Sequence, residues 1–108
     1  MSNVPLPPGP VPLPDLVALQ PGAVVSRTLV KAGGGTVTAF AFDTGEALSE
    51  HSAPFDALVI GVEGEAEVSI SKASHRVKAG ELLRLPANEP HGLKAVTPFK
   101  MILVMVKA

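Results

Sequence analysis

The sequence contains no cysteine, so neither disulfides nor thiolate chemistry is open to it. It has no excess of charge: nine basic against ten acidic residues leave a formal net charge of −1. No basic stripe capable of neutralising phosphates is present, which argues against nucleic acid as a partner. No apolar run reaches 18 residues, so no membrane-spanning helix is expected. The first residues, MSNVPLPPGP, have neither a positive n-region nor an apolar h-region; the expected location is therefore the cytoplasm. Helical periodicity is missing throughout.

What is abundant is proline at one end and short apolar runs elsewhere. Six of the eleven prolines, at positions 5, 7, 8, 10, 12 and 14, fall in VPLPPGPVPLP. Fixed φ angles and missing N–H groups there favour polyproline II over helix or central strand. Residues 1–20 read as a proline-rich arm, either flexible or docked on a surface, and residues 21–108 as the folded domain. At 108 residues one domain is expected, with a core that nearly every apolar run must join.

From Pro21 onward, runs rich in Val, Thr, Ile and Phe end at Gly, Pro, Asp or Asn. Nine of them read as strands: AVVSRTLVK, GTVTAFAFD, ALSEHSA, FDALVIGVEG, EAEVSIS, SHRVKA, ELLRLP, HGLKAV and FKMILVMVK. Short strands at this spacing predict an all-β sandwich or barrel. In EAEVSIS, Ala66, Val68 and Ile70 alternate with Glu65, Glu67 and Ser69, so one face is buried and one wet. ALVIGV and MILVMV are apolar on both faces, which predicts cover on both sides and a homodimer. The glycines at 33 to 35 read as a hairpin turn. Met101 and Met105 share a face of the last strand and read as core filling. Glu63, Glu65 and Glu67 read as a charged strand edge that resists pairing with other chains.

The order of residues from Gly45 to Gly64 resembles the first motif of the cupin superfamily, G-x5-H-x-H-x(3,4)-E-x6-G, with His51 following Gly45 after five residues. The second motif, G-x5-P-x-G-x2-H-x3-N, is similar to Gly80, Pro86, Asn88 in the Gly slot, and His91. The resemblance covers residues 45 to 95 and implies a cupin-type antiparallel β-barrel or jelly roll, the double-stranded β-helix. It also implies that a bound metal would sit among two His and one Glu of the first motif and the His of the second.

Here the chain departs from the pattern. His51 and His91 keep their slots, but Ala53 stands in the second His slot, Ala57 in the Glu slot and Ala95 in the Asn slot. Two neutral imidazoles without a carboxylate hold a divalent transition metal weakly or not at all. Asp56, next to the Glu slot, points to the opposite face by strand alternation unless a bulge intervenes.

The same alternation predicts the interior. His51, Ala53, Ala57, Val59, His91 and Leu93 face a cavity with apolar walls and two imidazoles, which suits a small organic ligand. Metal-free cupin epimerases pair a His base with a Tyr acid, and this chain has no tyrosine. No Gly-x-Ser-x-Gly elbow or phosphate-cradling glycine loop is present. Three functions remain open on sequence: a small-ligand-binding cupin, a metal-dependent cupin enzyme of dioxygenase or isomerase type with an incomplete ligand set, and a structural or regulatory partner protein with a vestigial pocket.

Overall fold

The structure, a computed structural model, describes residues 6–107. Nine strands form among them: β1 Val24–Ala32, β2 Gly35–Phe42, β3 Ala47–His51, β4 Ala57–Glu63, β5 Glu65–Ile70, β6 Ala73–Lys78, β7 Leu82–Leu85, β8 His91–Ala95 and β9 Phe99–Val106. They build a five-stranded sheet in the order β1-β2-β9-β4-β7 and a four-stranded sheet in the order β3-β8-β5-β6, with every pairing antiparallel. The fold is the expected jelly roll. The one helical turn among the described residues, a 3-10 turn at Leu13–Leu16, lies in the proline-rich arm.

Both motif regions are places where the chain changes sheets. β3 belongs to the four-stranded sheet and β4 to the five-stranded one, while β7 and β8 make the return crossing. Special backbone conformations sit at two sheet-changing corners, between β4 and β5 and between β7 and β8. Gly64 closes the first motif with φ +78°, and a Cβ there would overlap the Pro98 carbonyl oxygen. Asn88 holds the turn-glycine slot with φ 66°, a left-handed conformation that Asn tolerates better than most residues.

The core lies between the sheets, where Phe42, Phe99, Met101, Val59 and Val68 are the largest fully buried side chains. Phe42 and Phe99 are cross-strand partners with ring centroids 6.1 Å apart, and they fill one end of the barrel. Toward the other end of the same sheet the partners are Ala57 and Met105. A methyl group and an unbranched thioether fill less space than two phenyl rings, and a cavity opens there.

The outer face of the five-stranded sheet is also apolar, and the arm covers part of it. Leu16 and Val17 are buried against Ala39 and Ala41 of β2, with Val11, Val25, Leu29 and Ile102 half-buried around them. Proline-rich backbone has few N–H donors but all its carbonyls, and cations from the sheet meet them. Arg27 donates to the Leu16 carbonyl at 3.0 Å and Lys100 to the Pro14 carbonyl at 2.7 Å. Residues 1–5 of the arm lie outside the described residues.

The reading of Glu63, Glu65 and Glu67 as an edge is corrected. β5 lies between β8 and β6, and β4 between β9 and β7, so neither is an edge strand. The carboxylates meet cations on neighbouring strands instead: Glu65 pairs with Arg76 at 2.8 Å and Lys78 at 3.8 Å, Glu67 with Arg76 at 3.7 Å, and Glu63 with Lys100 at 3.5 Å.

Candidate functional site

His51 ends β3 and His91 begins β8, and the two are direct cross-strand partners. A bulge in β3 aims the first of them. Between Leu48↔Leu93 and His51↔His91 the register carries one extra residue on β3. Strict alternation would send positions 48 and 51 to opposite faces, yet both line the cavity; the bulge reconciles them. The imidazole rings stand edge to face, with centroids 4.5 Å apart and planes at 71°.

Each ring is fastened to its own chain. The Nδ1 of His51 lies 2.8 Å from the Ser49 carbonyl oxygen, and that of His91 3.2 Å from the Glu89 carbonyl oxygen. A carbonyl only accepts, so both Nδ1 atoms carry the proton, and a neutral ring held this way keeps Nε2 as an acceptor. Burial, followed by the neighbouring His51, holds the His91 pKa below its ordinary value, partly offset by the Glu89 carbonyl. His91 is therefore an acceptor in neutral solution.

The cavity measures about 540 Å³ including the space open at its mouth. His51, Ala53, Ala57, Val59, His91 and Leu93 all line it. Ala53 does so from the loop between β3 and β4 rather than from a strand. The motif readings did not extend to Phe55 in the β3–β4 loop, to Leu85 on β7, or to Met101, Leu103 and Met105, which β9 contributes from outside the motifs. Met101 and Met105 thus belong to the wall of the cavity as well as to the core. Their place at inward positions of the last strand was visible in the sequence; what they would face was not, because that depends on which strands become neighbours.

These residues do not supply the full ligand set that the cupin motifs imply for a divalent metal. Among the described residues no Asp, Glu, Lys or Arg lines the cavity, and no three His, Asp or Glu side chains come together as a metal-holding group. Two carboxylates next to the motif slots in sequence are turned elsewhere. Asp56 accepts the Ala87 backbone N–H at 2.8 Å and pairs with Arg84 at 3.3 Å; its pKa is lowered first by that backbone bond. Glu50 lines a shallow outer depression with Glu67 and Lys94. His75, which fits neither motif, is exposed on β6.

Fold, motif corners and cavity together describe a barrel with a pocket at one open end. Residues 39–107 match the family described as Cupin domain, and the chain belongs to that family. It is 36% identical to a conserved protein of unknown function from Streptococcus pyogenes, with a TM-score of 0.92 over 99% of this chain and 93% of the other. A Cupin 2 conserved barrel domain protein from Leptotrichia buccalis is 39% identical, with a TM-score of 0.83 over 86% of this chain and 45% of that longer one. A cupin superfamily protein from Desulfitobacterium hafniense, 24% identical, shares the fold with a TM-score of 0.90 over 95% of this chain and 94% of the other. Comparison with curated proteins returned no match.

Proposed function

We propose that this cupin binds a small organic molecule in the barrel cavity, with His51 and His91 as its polar contacts. The observation that carries this reading is an apolar cavity whose only charged or polar side chains are two imidazoles held by their own backbone. Such a pocket suits ligand binding: apolar walls supply affinity, and a few fixed polar atoms supply orientation. Melting-temperature shifts across a small-molecule collection test it, since a ligand at 100 times its dissociation constant stabilises by about 2.7 kcal/mol. Ala57→Leu, which fills the cavity, should abolish any true shift. A collection that yields no shift sensitive to Ala57→Leu would count against the pocket.

A metal-dependent enzyme of dioxygenase or isomerase type stands second. It is favoured by one observation: Nδ1–H bonded to a carbonyl, with Nε2 left over, is the arrangement metal-bound imidazoles adopt. Stoichiometric metal in protein purified without chelator would move it to first place.

The outer sheet face supports a homodimer. Leu58 and Val104 are cross-strand partners that point away from the barrel and remain only partly buried, with Val106 at 55% and Leu82 at 59% exposure nearby. A second copy placed there would cover what the arm leaves open. Sedimentation at micromolar concentration should show a dimer, and Val104→Glu should shift it toward monomer.

A further inference from the structure

The two imidazoles decide which ligand chemistry the cavity can recognise. Both Nδ1 protons are committed to the Ser49 and Glu89 carbonyls. What the rings can offer the cavity is therefore a pair of Nε2 acceptors and no donor. Every other lining residue is Leu, Val, Ala, Phe, Met or Gly.

Three ligand classes can be weighed against that wall. A carboxylate or phosphate would lose its water and find neither a donor side chain nor a cation, which is strongly unfavourable. A pure hydrocarbon would satisfy the walls but strip water from the acceptor on His91, the more buried of the two rings, and leave it unpaired. An aromatic ring carrying a neutral hydroxyl satisfies both requirements. Its O–H donates to an Nε2, and its face and edge meet the thioethers of Met101 and Met105 and the ring of Phe55, contacts that favour aromatic over aliphatic ligands.

We propose that the cavity selects a small neutral phenol, its hydroxyl donating to Nε2 of His91 and its ring lying against Met101 and Met105. This rests on the reading of the cavity as a ligand pocket. His91 is the receiving ring because it is the more buried of the two, so its acceptor gains most from a partner. The wall discriminates by hydrogen-bond direction: it rewards a donor and refuses an anion of the same shape.

Three para-substituted toluenes separate the outcomes: 4-methylphenol, 4-methylanisole, which keeps the oxygen but has no donor, and 4-methylbenzoate. Binding is measured by melting shift and calorimetry at about pH 8, where the phenol is neutral and a histidine is unprotonated. The phenol should bind about tenfold tighter than the anisole, and the benzoate should not bind. His91→Phe, which keeps an aromatic ring, should erase the preference for phenol over anisole. Long-range ¹H–¹⁵N spectra should show the Nδ1–H tautomer in both rings and a change at the His91 Nε2 when the phenol is added. Equal binding of phenol and anisole, or tighter binding of the benzoate, would overturn the phenol assignment and leave the pocket reading standing. An Nε2–H tautomer in His91 would do the same. No binding of any probe would overturn both.

Discussion

The carboxylate of Asp56 accepts the backbone N–H of Ala87 at 2.8 Å, and this contact ties the residue beside the empty glutamate slot to the corner between β7 and β8. Asp56 therefore braces one motif against the other instead of serving the cavity, and Arg84 flanks it from the same strand region.

Restoring the site thus requires new side chains rather than a rearrangement. Ala53→His with Ala57→Glu places a third imidazole and a carboxylate on a cavity that His51 and His91 already line. The double variant should bind a divalent transition metal and gain metal-dependent melting stability, while the natural protein should gain little. Without metal it should be less stable than the natural protein, because a carboxylate at the buried position 57 has no donor nearby. Calorimetric metal titration of both proteins checks this; equal tight binding would mean that other residues complete a site.

Stability should fall as solution becomes mildly acidic. The His91 pKa is lowered in the folded state, chiefly by burial and then by His51, so below about pH 6.5 the unfolded chain takes up a proton that the folded chain resists. The loss begins near the unfolded value and continues until the folded value is passed. His91→Gln should flatten the melting-temperature slope between about pH 7 and 5. Asp43 and Asp56, lowered first by backbone bonds from Gly22 and Ala87, lose their contribution only at lower pH, below the ordinary carboxylate value of 3.8.

Leu16→Ala should loosen the arm. Leu16 is 6% exposed and packs on the outer sheet face with Ala39 and Ala41. The expected cost is about 2–3 kcal/mol, toward the low end for a buried leucine because the site lies under a surface segment that can collapse. Faster proteolysis within residues 6–17, with the barrel intact, would accompany it.

Gly64→Ala should destabilise the domain by about 1–3 kcal/mol or prevent its folding, since the position combines a left-handed backbone with contact against the Pro98 carbonyl. Denaturant titration checks the size. A neutral result would mean that the corner between β4 and β5 relaxes freely.

Much of this architecture was legible in residue order. Alternation in EAEVSIS placed Ala66 and Val68 inside, and both are buried; turn residues bounded all nine strands to within a few positions. Asn88 could be matched to a turn-glycine slot because its side chain tolerates positive φ. The β3 bulge was not legible, because Ser49 and Glu50 carry no mark of the extra residue. The docking of Leu16 and Val17 was also hidden: it depends on Ala39 and Ala41 leaving a shallow surface, which is a property of the assembled sheet. The same holds for Glu65, whose cations come from the neighbouring strand.

The position of β9 between β2 and β4 has a consequence for how the chain is made. The strand that leaves the ribosome last of the nine is the middle of the larger sheet, and its Lys100 also grips Pro14, 86 residues earlier. Until it emerges, β2 and β4 expose open edges and the arm lacks one of its anchors. Native pairing therefore waits on the most distant contacts in the sequence, so the barrel should close late, in one cooperative step, and depend on protection of its nascent edges until then.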